Sequence, residues 1–222
     1  MSFAIAIDGP AGAGKSTAAK MAAKELNFIY VDTGAMYRTI GLFMLEHGVP
    51  VEEEESLKAA LDQISIDIAY HDGMQCMILN GEDVSGRIRT PEVSAEASKV
   101  AAIPAVREKL LDLQRNLASS ADVIMDGRDI GTYILPDAEL KIYLTASVEE
   151  RARRRYLELT QKGEVCSIEE IQADIAERDF RDMHRETAPL RQAEDAVYPD
   201  TSEMTLEEVV AEVIRLAKDR KG

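Results

Sequence analysis

Residues 9–17 read Gly9-Pro10-Ala11-Gly12-Ala13-Gly14-Lys15-Ser16-Thr17. They match the spacing G-x-x-x-x-G-K-[ST] in full. Those residue types suit a cradle for phosphates. Gly9, Gly12 and Gly14 let the backbone turn tightly and come close to a ligand. Successive N–H groups then converge on phosphate oxygens, and a helix that follows adds its positive end. Lys15 is placed to reach the β- and γ-phosphates of a nucleoside triphosphate. The Ser16 hydroxyl is placed to ligate Mg²⁺ carried by that triphosphate. A glycine-rich turn that only packs a helix would give no reason for Lys15-Ser16 at the helix start. The pattern implies triphosphate binding and leaves open what becomes of the γ-phosphate.

Arginines form the second set. Arg38 follows Asp32-Thr33-Gly34, and Arg128 lies in Asp126-Gly127-Arg128-Asp129. Arg151, Arg153, Arg154 and Arg155 crowd one segment, and Arg178, Arg181 and Arg185 recur on a later one. Arg178, Asp182 and Arg185 share a helical face at i, i+4 and i+7; exposed ion pairs would produce the same spacing. Arg38 and Arg128 follow Gly-containing turns at the ends of apolar runs, where ligands gather in open α/β sheets.

The chain as a whole is acidic, with 26 basic and 41 acidic residues and a net charge of −15. Such a body binds nucleic acid or anionic membrane poorly, so neither is expected as a partner. Its cations are focused. Glu46 to Val84 holds ten acidic residues and one basic one, whereas Arg151 to Arg191 holds nine of each.

The elements that must position these groups alternate. Ala4-Ile5-Ala6-Ile7 is a buried parallel strand that stops at Asp8-Gly9-Pro10. Ser16 to Leu26 is a helix, Phe28 to Val31 a strand, and Ala35 to His47 a helix stopped by Gly48. Glu52 to Gln63 is a helix opened by four glutamates, whose place is the positive end of the dipole. Ile64, Ile66, Ile68 and Tyr70 then alternate with polar or small residues. His71-Asp72-Gly73 and Asn80-Gly81 bracket a further strand, so a small antiparallel sheet is expected within an insertion at about 51–90. Helices follow at Glu92 to Ala102 and Val106 to Ala118, separated by Pro104. Asp122 to Gly127 and Leu140 to Leu144 are core strands. Ser147 to Gln161 is a basic helix broken by Lys162-Gly163, and Ser167 to Arg185 is a charged one. Ala196-Val197-Tyr198 is a fifth, weak strand, and Leu206 to Lys218 a closing amphipathic helix. The grammar is that of an α/β fold, a five-stranded parallel sheet flanked by helices, in one domain spanning 1–222.

Three classes of nucleotide protein fit the phosphate pattern. A guanine-reading switch needs N-K-x-D, and the chain has no Asn-Lys pair. Asp83-Val84-Ser85-Gly86 matches D-x-x-G but lies in the insertion. A nucleic-acid motor wants a basic track, which the charge argues against. A small-molecule phosphotransferase wants arginines at the strand ends, which are present. A nucleotide-binding regulatory protein without turnover is a further alternative, disfavoured by Lys15, Arg38, Arg128 and Arg185 together.

In order along the chain come Asp8 to Lys15, Asp32 to Arg38, Glu82-Asp83-Val84-Ser85 with Ile88-Arg89-Thr90, and Ser98-Lys99-Val100-Ala101. Val106-Arg107-Glu108, Asp126 to Thr132, and Glu177-Arg178-Asp179 with Arg185 follow. With these motifs the chain resembles the bacterial cytidylate kinases of the phosphate-loop (P-loop) nucleoside monophosphate kinase family, over nearly its whole length. The resemblance implies transfer of the γ-phosphate of MgATP to CMP or dCMP. It implies that Ser98, Arg107 and Asp129 read cytosine and that Thr33 helps near base or phosphate. Arg38, Arg128 and Arg185 would clamp the α-phosphate, and Arg178 with Asp182 would contact the ribose. The insertion would be the monophosphate-binding subdomain. About 151–165, with Arg151 and Arg155, would be a mobile lid over ATP. One departure stands out: where the family has an apolar residue and then Asp-Thr or Asp-Ser, this chain has Val197-Tyr198-Pro199-Asp200-Thr201. Pro199 cannot donate to a sheet ladder, so the strand should end or bulge there.

The attacking group in such a transfer is a phosphate oxygen already anionic near neutral pH, so no side-chain base is required. His47, His71 and His184 are expected to be structural or exposed. Asp126 ends an apolar strand and is open to two readings, a carboxylate holding Mg²⁺ through water or a structural hydrogen bond. Cys76 and Cys166, 90 residues apart, fit no metal or redox spacing and read as reduced thiols of a cytoplasmic protein. No run is long enough to span a membrane, and no basic leader precedes Ile5. A monomer is expected.

Overall fold

A computed structural model describes residues 2–161, 163–199 and 204–221. Four parallel strands form the main sheet: β1 (Ala4–Asp8), β2 (Ile29–Asp32), β6 (Val123–Gly127) and β7 (Leu140–Tyr143), in the order β2-β6-β1-β7. Period-two alternation sends β1 to both faces. Ala4 and Ala6 join one apolar cluster with Met36, Ile40, Val106 and Met125, under α2 (Thr33–Glu46), α4 (Pro91–Val100) and α5 (Pro104–Ser120). Ile5 and Ile7 join a second cluster with Ala18, Ala22, Ile142 and Val213, under α1 (Lys15–Leu26) and α8 (Leu206–Lys221). A sheet covered on both faces needs strands apolar throughout, and every residue of β1 is buried.

The expected fifth strand is a single parallel bridge, Ile142 to Val197. Val197 donates to Lys141 O at 2.8 Å and accepts from Tyr143 N at 2.9 Å. Pro199 follows with no N–H to offer, so the ladder stops. The described residues thus form a four-stranded sheet; Asp200, Thr201 and Lys162 lie outside them.

Three helix starts also differ from the expected ones, each for a local reason. Asp32 accepts from Ala35 N at 2.8 Å and caps α2, which therefore begins at Thr33, two residues before the expected Ala35, and carries Arg38 on its second turn. Two helices do part at Pro104, but it belongs to the second: it opens α5, where a missing N–H costs nothing. Lys15 rather than Ser16 opens α1, because Gly14 serves as its left-handed cap.

The insertion holds α3 (Glu54–Asp62) and the antiparallel strands β3 (Ile66–His71), β4 (Met74–Leu79) and β5 (Glu82–Asp83). Asp72-Gly73 and Asn80-Gly81 have positive φ at both residues, the geometry that suits tight hairpins. Two side chains fasten this sheet to the free edge of β2. Tyr70 donates to Tyr30 O at 3.2 Å. Gln75 accepts from Asp32 N at 2.7 Å and donates to Asp32 O at 3.2 Å, imitating a neighbouring strand.

Between β6 and β7 the chain makes a π-helical turn, Ile130–Ile134. Asp8, at the end of β1, accepts from Ile130 N at 2.8 Å and Gly131 N at 2.7 Å and so holds the turn's start. Two charged helices, α6 (Val148–Gln161) and α7 (Ile168–His184), pack together beside the carboxyl end of the sheet.

Candidate active site

β1, β6 and β2 end level with one another, Asp8 beside Gly127 and Asp126 beside Asp32. The phosphate loop leaves from there. At Gly9, φ is +147° and an added Cβ would lie 1.9 Å from Leu144 O, so only glycine fits. Lys15 is buried, and its Nζ donates to Pro10 O at 2.7 Å, folded back over its own loop. Burial and then the Arg128 charge hold its ammonium well below the usual lysine range, against the pull of Asp126 and Asp8.

Ser16 Oγ donates to Asp126 Oδ2 at 2.7 Å, and the Tyr30 hydroxyl donates to Asp126 Oδ1 at 2.9 Å. Burial and then the Asp32 charge push the Asp126 carboxyl up. Burial, with Asp126 adding to it, raises the Tyr30 phenol so far that it stays a donor. A hydroxyl and a carboxylate beside the phosphate loop are hard oxygen donors, fitted to a Mg²⁺ that brings phosphate and water ligands of its own. Among the described residues no cluster of three or more His, Cys, Asp or Glu side chains could hold a metal ion.

Two cavities meet at Gly12, Lys15 and Ser16. The first has a volume of 220 Å³ and collects Thr33, Arg38, Ser98, Arg128, Asp129, Arg178, Asp182 and Arg185 from four segments of chain. Arg38 Nη2 donates to Asp32 Oδ2 at 2.8 Å, and Arg128 Nε donates to Asp182 Oδ2 at 2.8 Å. Arg38 Nε, Ser98 Oγ and Arg178 Nε are buried without a protein partner, and all three residues line this cavity. Burial, and then Arg128, lower Arg178 to about 10, so it stays charged at neutral pH. Thr33 is committed elsewhere: its hydroxyl donates to Asp126 O at 2.8 Å.

Asp129 is buried between two cations. Its Oδ1 accepts from Arg185 Nη2 at 2.9 Å. Its Oδ2 accepts from Arg107 Nη2, and the Arg107 guanidinium lies 5.6 Å from the Tyr37 ring and 5.3 Å from the Tyr133 ring. Arg107 stands behind Asp129 and does not itself line the cavity.

The second cavity, of 520 Å³, lies between the phosphate loop, α6 and the start of α8. Residues 12–17, Arg153 and Arg154 line it. Arg155 does not; it is exposed and donates to Glu158 Oε2 at 3.3 Å. Arg151 is 3% exposed and points inward to the protein. Arg154 reaches the loop from the cavity side, with Nη1 3.8 Å from where a Cβ on Gly14 would be. Sequence spacing could not rank four neighbouring arginines; the helical phase of α6 does. The histidines line neither cavity, and His47 and His184 hydrogen-bond carbonyls one turn back in their own helices. Asp8, Asp32, Tyr37 and Gln75 escaped the sequence reading of the site. Only Asp32 carried a signal, three residues ahead of a helical N–H it could cap.

Transfer between two anionic partners requires two ligand spaces that touch at the phosphate loop, and this geometry puts the molecule among the phosphate-loop kinases. A family model described as cytidylate kinase matches residues 5–219. A cytidylate kinase of Caldicellulosiruptor saccharolyticus is 54% identical over 212 residues, 96% of this chain and 94% of the relative. One of Bacillus cereus is 49% identical over 214 residues, 96% and 95% of the two chains. This chain belongs to the cytidylate kinase family. Its fold is also similar to that of a shikimate kinase from Bacteroides thetaiotaomicron, with a TM-score of 0.50, 15% identity, and 97% and 98% of the chains covered.

Proposed function

We propose that the chain transfers the γ-phosphoryl group of MgATP to CMP or dCMP, giving ADP and CDP or dCDP, with roles divided between the two cavities. The observation that carries this division is the set of buried donors without protein partners, on Arg38, Ser98 and Arg178, in the cavity that also holds Arg128, Asp129 and Arg185. Buried polar groups ordinarily have partners, so such a set suits an anionic, polar ligand.

Arg38, Arg128 and Arg185 hold the acceptor phosphate, and Arg178 with Asp182 holds the sugar. The base lies towards Ser98 and Asp129. The exocyclic amine of cytosine donates, so a hydroxyl and a carboxylate can accept, while Arg107 takes part from behind by fixing the Asp129 carboxylate. Uracil inverts this pattern and would leave buried groups unpaired, the costly kind of mismatch.

The acceptor oxygen is already anionic, so no side chain removes a proton. Catalysis is positioning plus charge stabilisation. Lys15 turns from Pro10 O onto the phosphates, whose oxygens favour its ammonium form. Ser16 and Asp126 would hold the Mg²⁺ that the triphosphate brings, and the ion would supply charge neutralisation. Arg153 and Arg154 face the triphosphate from α6, and 151–165 closes as a lid that excludes water. The insertion at about 51–90 serves the monophosphate side. The enzyme is taken as a monomer and as cytoplasmic, the latter in keeping with its two free thiols.

A coupled ADP-release assay with MgATP and CMP, dCMP, UMP, AMP, GMP or shikimate tests this. Activity led by CMP and dCMP is expected. Activity led by another acceptor would overturn the base-reading roles of Ser98, Arg107 and Asp129, and silence with all six would overturn the reaction.

A further inference from the structure

Asp179 stands next to Arg178 on α7 yet lines neither cavity. It is buried, at 7% exposure, with Oδ1 unpartnered and Oδ2 accepting from Arg151 Nη2 at 2.5 Å. Arg151 is equally buried, and the rest of its fork is committed. Nε donates to Ala146 O at 2.9 Å, and Nη1 donates to Ala11 O at 2.9 Å. A charged pair removed from water on this scale is rare unless each partner fixes something. Here the fixed object is the phosphate loop, at the peptide between Ala11 and Gly12.

That peptide is trans, so its C=O and N–H point in opposite directions. With the Ala11 carbonyl drawn onto Arg151, the Gly12 N–H is turned away from Arg151. Gly12 lines both cavities, at the place where they meet. Gly12 has φ +76°, and glycine passes between backbone conformations at little cost, so the sequence alone does not hold this peptide in one orientation. An arginine fork does, provided a counter-charge holds the fork.

We infer that Arg151 and Asp179 are positioning residues that lock the Ala11–Gly12 peptide with its N–H toward the transferred phosphates. Neither touches the nucleotides. The pair also ties the phosphate loop to α7, the helix that carries Arg178 and Asp182. The inference rests on the kinase reading above, but its test needs no phosphate acceptor.

The test compares the full chain with Asp179→Asn, which keeps shape and loses charge, and Arg151→Lys, which keeps charge and loses the fork. Binding of the β,γ-imido analogue of ATP with Mg²⁺ is measured by calorimetry, and binding of CMP separately. Both variants are expected to weaken the ATP analogue about tenfold while CMP affinity stays within about twofold. The double variant should lose no more than the worse single one, as members of one linkage do. In ¹⁵N-glycine spectra the Gly12 amide should move in both variants before any ligand is added. Two results would overturn the inference: lost CMP affinity with unchanged binding of the ATP analogue, or a lowered melting temperature with both affinities and the Gly12 amide unmoved. If Asp179→Asn does not fold, Arg151→Lys carries the same measurements. A wild-type chain that binds the ATP analogue yet phosphorylates no cytidine nucleotide would refute the substrate reading and leave this one standing.

Discussion

Asp129 shows how a single side chain can serve both stability and recognition. Its carboxylate faces Arg107 and Arg185 at once, and all three are buried or nearly so. Removing one partner of such a cluster strands the other charges, which costs about 3–5 kcal/mol. Asp129→Ala should therefore lower the urea midpoint clearly. It should also reduce kcat/KM for CMP far more than it weakens the ATP analogue, and an equal loss for every monophosphate would contradict a role in reading the base. Lys15 has no such structural duty, since its one bond goes to Pro10 O of its own loop. Lys15→Ala should leave the circular dichroism spectrum and melting curve nearly unchanged and lower turnover at least about 100-fold, on the scale of losing a group that meets developing charge. Near-normal turnover in that variant would end its assignment to phosphate binding.

Loops and strand ends are where the elements meet, and Gly9 is the tightest of these meetings. Its missing Cβ lets β1 turn into the phosphate loop directly beneath the carbonyl that follows β7. Alanine there would place carbon 1.9 Å from Leu144 O at a φ that side chains avoid. β1 and β7 would have to part, and the loop with them. Gly9→Ala is expected either to accumulate insoluble or to melt well below the parent, with ATP-analogue binding lost; a variant that melts and binds like the parent would show that the loop can give way. The same scale explains what the hydropathy pattern could and could not show. Hairpins at Asp72-Gly73 and Asn80-Gly81 were legible because two positive-φ residues in a row demand those types. The π-helical turn at 130–134 was not, because the bonds at its start come from Asp8, more than a hundred residues away.

Across the whole molecule the buried carboxylates set how stability responds to pH. Burial lifts Asp8 from 3.8 to about 7, despite the two backbone N–H groups it accepts. The folded chain therefore keeps a proton that the unfolded chain releases near 3.8. Between those values the folded state binds more protons, so stability falls as pH rises, by up to about 1.4 kcal/mol per pH unit from this group, and levels off above about 7. Asp126 is shifted the same way. Asp8→Asn should remove one such slope: plotted against pH from 4 to 8, the stability difference between parent and variant should fall as pH rises. A difference that stays flat would mean that Asp8 is ionised throughout. The net charge of −15 acts on the same scale. It leaves the inward-facing arginines as local cations in an acidic body, so their pull on a polyanion is short-ranged and should weaken only modestly with salt.

The phosphate loop, the parallel α/β rhythm, the small antiparallel sheet and the family were all written in local sequence. Each depends on residues close together in the chain, where spacing, positive φ and periodicity act directly. The fifth strand was overread because apolar character at 196–198 says nothing of how many ladder bonds survive beside Pro199. The first two residues of α2 lie outside the helical pattern because the cap that lengthens it backward is a single hydrogen bond. What only the tertiary structure decided is direction. Four arginines between 151 and 155 look alike in sequence, yet helical phase sends Arg154 towards the phosphate loop's cavity and Arg155 to solvent, and buries Arg151 against Asp179. Charge is a property of the residue; what it is aimed at is set by packing between segments distant in the chain.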